Sequence, residues 1–368
     1  MDMKDSKTKL QFSWVLLGIV SVAFLLLFGY SIGVLILGRI SGTEESAEAL
    51  PTGGPTASVL PTLENTIAVF EPTPTPEALS DKDLWAKEAD PTPTPAFPIS
   101  GFTDRFWQDG SLTLQTEYRS PDLTIYYKRV YDTQTFHRRI TYFIAELFVS
   151  DVTQIKTASC VGGFNKNGHG DVERTARQSN AIVAISGDYY GFRSDSLVIR
   201  NGVVYRTKLR NSDICMLLRD GTMETIEASD ANINYILKRD PWQAWQFGPV
   251  LLGDGGIARS YFPNSSKIRA TNPRSCIGYI EPGHYLFVVV DGRQKYSKGV
   301  TLEELAYLME TIGCVQAYNL DGGDSAHFYW LNEVVSSPSG GGREVSDIIY
   351  IEKESYPVSP FHKGKKGL

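Results

Sequence analysis

Carboxylates and guanidinium groups concentrate in a few short polar stretches of this chain. They are Ser186-Gly187-Asp188-Tyr189-Tyr190-Gly191, Asn272-Pro273-Arg274-Ser275, Asp291-Gly292-Arg293 and Asn319-Leu320-Asp321-Gly322-Gly323-Asp324-Ser325. Asp188, Asp291 and Asp321 with Arg274 and Arg293, sharing one cleft, would suit a substrate that carries both an anion and a reactive carbon. Taken singly, Asp-Gly is a common turn, and aspartates near strand ends often cap backbone amides. The Asp321 stretch offers more. Gly322 and Gly323 after a carboxylate leave backbone N–H groups free to form a nest for an anion or oxyanion, while Asp324 and Ser325 add side-chain partners. The same loop, Asp321 to Asp324, also reads as a calcium-binding aspartate loop. No cofactor is otherwise required by the pattern. His327, on the segment after the loop, reads as a packed histidine rather than a base.

Each stretch falls at one end of an apolar strand, and rigid strand ends are where a scaffold presents functional groups. Ser111 to Tyr118, Leu123 to Val130 and Arg139 to Val149 are rich in Thr, Tyr, Val, Ile and Phe and read as strands. Asp171 caps a short helix, Val172 to Gln178, which leads into a strand at Ala181 to Ile185. Asn201-Gly202 and Asp220-Gly221 mark hairpin turns. Tyr285 to Val290 is apolar enough to be buried on both faces of a sheet. Thr301 to Ile312 predicts a helix with a Thr301/Glu304 capping box and an apolar stripe of Leu302, Leu305, Leu308 and Met309; Gly313 closes it, and the strand Cys314 to Leu320 delivers Asp321. Strand, helix, strand within a β-rich domain gives an α+β fold: a mixed β-rich domain with a few helices.

Ahead of that domain, no charge occurs between Lys9 and Arg39, and Phe12 to Leu37 is built almost wholly of apolar residues. At ~1.5 Å per residue this makes a helix of roughly 39 Å, longer than the ~30 Å hydrocarbon core. Residues 12–38 are therefore expected to be a transmembrane signal-anchor in the lipid bilayer, after a cytoplasmic tail at 1–11. Lys4, Lys7 and Lys9 before the span, against Glu44, Glu45 and Glu48 after it, place the C-terminal domain on the extracellular side of the cell membrane. A cleaved signal peptide would have a shorter apolar run. Residues 39–99 form a Pro/Thr-rich linker expected to be disordered, reaching from about 40 Å as a coil to roughly 180 Å extended. The outer domain divides into an N-terminal β-rich part at 100–180 and a second part at 181–356, followed by a basic tail at 357–368. A net charge of −6 offers no basic face for nucleic acid. Cys160, Cys215, Cys276 and Cys314 lack zinc-type spacing; an oxidising exterior would permit disulfides, and each can equally be a small buried hydrophobe.

The ordered series Ser186 to Gly191, Phe247-Gly248-Pro249-Val250-Leu251, Pro273 to Gly278, Val290 to Arg293, Gly299-Val300-Thr301-Leu302 and Asn319 to Ser325 resembles the phosphodiester glycosidase family over about Ala181 to Ile351. That family includes the N-acetylglucosamine-1-phosphodiester alpha-N-acetylglucosaminidase and bacterial exopolysaccharide-associated members. It commonly has a glycine where this chain has Asp324, which adds a negative charge. The resemblance implies an enzyme, a hydrolase that cleaves the anomeric C–O bond of sugar-1-phosphodiesters in cell-envelope or exopolysaccharide glycans. The leaving phosphate monoester has a second pKa of about 6 and is stable as an anion, so the chief needs are a carboxylate for an oxocarbenium-like sugar and fixed positive groups for phosphate. On that reading Asp321 faces the anomeric carbon, and Asp188 and Asp291 activate water or bind hydroxyls. Arg274 and Arg293 hold the phosphate with the Gly322 and Gly323 amides, beside Asp324 and Ser325. The alternative is a non-catalytic glycan-binding or scaffold module of the cell envelope.

Overall fold

The computed structural model describes residue 99 and residues 101–353. The expected span at 12–38, the linker as far as Pro98 and the tail at 357–368 lie outside them. Among the described residues no helix is long and apolar enough to cross a membrane.

Seventeen strands and a few short helices make up the described residues. In chain order the first strands are β1 (Leu112–Leu114), β2 (Glu117–Arg119), β3 (Leu123–Asp132), β4 (Ile140–Val149), β5 (Ile155–Ser159) and β6 (Ala181–Ser186). Next come β7 (Val198–Arg200), β8 (Val203–Arg206), β9 (Ile214–Leu217), β10 (Met223–Ile226) and β11 (Gln243–Trp245). The last are β12 (Arg274–Glu281), β13 (His284–Val290), β14 (Gln316–Leu320), β15 (Phe328–Trp330), β16 (Glu333–Val334) and β17 (Asp347–Glu352). Four helices matter for packing: α1 (Val172–Gln178), α2 (Ile233–Lys238), α3 (Ser266–Arg269) and α4 (Leu302–Thr311). The domain is thus β-rich with few helices.

The strands form three sheets, ordered β1-β2-β3-β4-β13-β12-β14, β10-β9-β11-β7-β8 and β16-β15-β6-β17-β5. Side chains alternate across each strand, and that alternation assigns one face of every sheet to a shared interior. Phe143, Ala145 and Leu147 of β4, Cys215 and Leu217 of β9, and Val183 and Ile185 of β6 meet there in one cluster. Opposite faces carry the other half of the pattern, each under a helix. Leu286, Val288 and Val290 of β13 lie under Leu302, Leu305 and Met309 of α4; Ala184 and Ile348 lie under Val172 and Ala176 of α1; Ile214, Met216 and Ala244 lie under Ile236 of α2. Each large apolar side chain so buried contributes about 1.5–3 kcal/mol.

Local signals explain the element ends. Asp171 accepts from the Arg174 amide to start α1, and Thr301 and Glu304 close a reciprocal capping box at α4. Asn201 and Gly202, at φ 51° and 77°, turn β7 into β8. Two expectations shift. Ser111 to Tyr118 is not one strand but the hairpin of β1 and β2, turning at Gln115-Thr116 without a glycine or asparagine to announce it. Strand β14 begins at Gln316 rather than Cys314, since the Cys314 amide still donates to the Met309 carbonyl of the helix. Residues 112–149 and 274–320 share the seven-stranded sheet, with β4 paired to β13 along its length. All four cysteines are free, three of them buried.

Candidate active site

The ends of β6, β12 and β14 converge. The Asp321 amide donates to the Gly187 carbonyl at 3.0 Å, and the Gly323 amide donates to the Pro273 carbonyl at 2.9 Å. Ser275 Oγ donates to the Ser186 carbonyl at 3.2 Å. Backbones approach so closely that side chains are excluded: a Cβ on Gly322 would stand 2.8 Å from the Pro273 oxygen, and one on Gly187 2.3 Å from Asp347 Oδ1. Those glycines therefore serve sequence-distant partners rather than turn geometry alone.

Asp321 sits at this junction with only 4% of its surface exposed. Arg343 holds it, its Nη2 lying 3.3 and 3.2 Å from Oδ1 and Oδ2. The same guanidinium donates from Nε and Nη2 to Ser325 Oγ at 3.0 and 2.7 Å. Burial pushes the Asp321 carboxyl up to about 6, against the pull of Arg343 and a Ser325 hydrogen bond and with help from the charge of Asp188. A carboxyl so placed changes charge near neutrality, the usual mark of a group set up for proton chemistry or charge stabilisation. Arg343 remains 41% exposed and lies over the Tyr189 and Phe192 rings, which stack at 4.2 Å. His327 is packed: burial lowers its pKa, and Nδ1 contacts the Ser325 carbonyl at 2.9 Å.

The remaining residues singled out from sequence take varied positions. Asp188 is fully buried; its Oδ2 accepts from the Gln246 amide at 2.9 Å and from Arg200 Nη2 at 3.4 Å. Arg200, also fully buried, bridges to Asp347 at 2.8 Å, and Asp347 Oδ1 accepts from the Asp188 amide. Burial raises the Asp347 pKa against the pull of Arg200. Asp188 thus lies one layer behind Asp321, in a triad with two residues that the sequence did not single out. Arg274 points away from the junction and ties down the α3 segment, donating to the carbonyls of Val300, Ile268 and Ala270 at 3.1, 2.7 and 2.9 Å; its burial lowers its pKa to about 10. Asp291, 2% exposed, accepts from the Ser337 amide at 3.0 Å, while its Oδ2 has no hydrogen-bond partner. Burial raises its pKa. Arg293, in the left-handed region at φ 59°, donates to Asp324 at 2.8 Å and to Asn272. Of the two glycine amides expected to cradle an anion, that of Gly323 is already committed to Pro273.

The loop carboxylates face guanidinium groups rather than each other, and among the described residues no group of three His, Cys, Asp or Glu is placed to hold a metal. That donor set does not suit calcium, which wants six to eight oxygens. Arg343 was missed because it follows Gly340-Gly341-Gly342 and adjoins no motif stretch; its one sequence signal is a cation in a glycine-rich segment just before the apolar strand β17.

Fold and site together define a class: β-rich α+β domains that present an acid–guanidinium site at the ends of their strands. Residues 179–352 match the family model for phosphodiester glycosidase. The chain is 27% identical over 210 residues to the SPbeta prophage-derived uncharacterized protein YomE of Bacillus subtilis, covering 55% of this chain and 31% of that protein. It is 27% identical over 199 residues to the N-acetylglucosamine-1-phosphodiester alpha-N-acetylglucosaminidase of Bos taurus, covering 48% of this chain and 36% of that one. The chain thus spans about a third of the length of these curated relatives. The zebrafish N-acetylglucosamine-1-phosphodiester alpha-N-acetylglucosaminidase catalytic domain, auto-inhibited by its pro-peptide, shares the fold, with a TM-score of 0.52 and 21% identity over 66% of this chain and 88% of that one.

Proposed function

We propose that this chain hydrolyses the anomeric C–O bond of sugar-1-phosphodiesters. The observation that carries the reading is Asp321: a buried carboxyl with its pKa raised to about 6, held by an arginine that is still partly exposed. In the proposed reaction a water oxygen bonds to the anomeric carbon as the bond to the phosphate oxygen breaks, the electron pair leaves on a phosphate monoester, and the water's proton passes to that monoester or to solvent. Because that monoester is a stable anion near neutrality, a strong general acid is unnecessary. Ionised Asp321 stabilises positive charge building on the sugar, and Arg343 takes the phosphate, with Arg293 beside it. The stacked Tyr189 and Phe192 rings back Arg343 on the side proposed to face the sugar. Asp188 and Asp291 are assigned to placing charge and water from behind, and Arg274 to holding the α3 segment.

Residues 12–38 are proposed to anchor the chain in the cell membrane with this domain outside, facing cell-envelope or exopolysaccharide glycans. N-acetylglucosamine is the sugar to try first, on the strength of the bovine relative's name. Full-length chain in detergent is expected to release it from its methyl 1-phosphodiester, with Asp321→Asn and Arg343→Gln each slower by at least a hundredfold. Equal rates in all three proteins would end the proposal. Asp324, which pairs with Arg293 and so neutralises one cation of the phosphate side, favours a second reading as a glycan-binding module. Tight sugar-phosphate binding without turnover would support that one.

A further inference from the structure

On the far side of Arg293 lies an open cleft of about 540 Å³, of whose lining the proposed reaction uses Arg293 alone. Its lining is Arg293 to Tyr296 on the turn after β13 and Pro338 to Gly341 on the segment before β17. These eight residues include two cations, Arg293 and Lys295, and no carboxylate. Lys295 is exposed and, among the described residues, has no hydrogen-bond or ion-pair partner. Tyr296 is 37% exposed, so a flat ring also faces solvent.

The cleft shares its walls with the catalytic side. Arg293 lines it and also reaches Asp324. Gly341 lines it, and Arg343 follows two residues later, donating its amide to the Asp324 carbonyl at 2.9 Å. The cleft is thus joined to the Arg343 segment through Asp324 and through the short stretch from Gly341. Glycines at 340 and 341, with φ 65° and 85°, bring backbone rather than side chains to that wall and leave room for a group larger than methyl.

We infer that this cleft is an aglycone subsite that selects sugar-1-phosphodiesters whose alcohol portion carries a second anionic group, such as a further phosphate. The inference rests on the proposed reaction and narrows its substrate. A neutral alcohol would leave the Lys295 ammonium to water and gain nothing from it. A phosphate monoester, with a charge of about −1.5 to −2 at pH 7, gains from the unpaired Lys295 ammonium and competes with Asp324 for Arg293.

Two substrates with the same sugar test it on the full-length chain: N-acetylglucosamine-1-phosphate joined to methanol, and the same joined to glycerol 3-phosphate. The glycerol phosphate diester is expected to have a kcat/KM about tenfold higher, an advantage of about 1.4 kcal/mol that shrinks as salt is raised. Lys295→Gln should bring the ratio of the two values close to one. A wild-type ratio near one, or a ratio unmoved by Lys295→Gln, overturns the inference while leaving the reaction standing. If neither diester is hydrolysed, the reaction fails and the cleft is judged separately by calorimetric titration with glycerol 3-phosphate. Binding at least fivefold weaker in Lys295→Gln then upholds an anion subsite, and equal or absent binding removes it.

Discussion

Replacing Arg343 with glutamine should move the titration of Asp321 upward. The guanidinium nitrogen lies 3.2 Å from the nearer carboxylate oxygen, which puts the charge centres about 4 Å apart. At that distance two unit charges attract by about 1 kcal/mol in water and by about 4 kcal/mol at an effective dielectric constant of 20. Arg343 is 41% exposed, so solvent screening selects the low end. At 1.36 kcal/mol per pKa unit, the loss is about one pH unit. The sign follows from what is removed: a cation favours the ionised form, so the midpoint rises from about 6 toward 7. Since Asp321 works ionised, the acid limb of kcat against pH moves up with it, on top of the rate lost with the phosphate contact. Carbon NMR of the Asp321 carboxyl reads the same midpoint without turnover. Arg343→Lys keeps the charge but not the fork, and should restore the midpoint while recovering only part of the rate. A midpoint that stays put or falls in Arg343→Gln would refute the coupling.

Asp188→Asn should act in the opposite sense, lowering the Asp321 midpoint by less than Arg343→Gln raises it, because Asp188 is the weaker of the two influences; a rise in the same NMR titration would contradict this. Asp321→Asn should stabilise the fold at pH 8 but not at pH 4. The folded carboxyl sits near 6 and the unfolded one near 3.8, so stability is lost as pH rises through 6, by about 3 kcal/mol. Calorimetric melting at both pH values checks it, and an equal Tm change at each would count against it. Arg200→Met strands two buried carboxylates and should cost about 3–5 kcal/mol in urea unfolding; a loss below about 1 kcal/mol would show the triad to be dispensable. Gly187→Ala puts a methyl 2.3 Å from Asp347 Oδ1 and should lower stability by about 1–3 kcal/mol, which an unchanged melting curve would disprove.

Elements whose causes are local were legible in the sequence. The capping box at Thr301 and Glu304, the Asp171 cap and the Asn201-Gly202 turn each depend on residues within a few positions, and each forms. The β1–β2 turn at Gln115-Thr116 was not legible, because the turn lacks a residue that marks it and the paired strands, not the turn, specify it. The strand ends that bear the site were also visible, since apolar runs stop there at glycine-containing polar stretches. Side-chain direction was another matter. Arg274 looked like a phosphate ligand because guanidinium groups suit phosphate, yet its Nε and Nη2 are taken by three carbonyls of its own surroundings. Nothing within reach of Arg274 in sequence announces that the α3 segment folds back over it.

Buried charge explains both the misses and the acidity of the site. A buried arginine needs carboxylates, and Arg200 draws them from 12 residues before it and 147 after it. Two carboxylates on one guanidinium leave the buried triad with a formal charge of −1, sealed from solvent and close enough for Asp188 to disfavour ionisation of Asp321. Arg343 opposes this from the open side, its side chain 41% exposed. The site is therefore tuned by two charges of different mobility, a fixed anion within the fold and an adjustable cation at its mouth. Of the fixed half only Asp188 lies in the family-like stretch at Ser186 to Gly191; Arg343 comes from a glycine-rich segment that carries no motif.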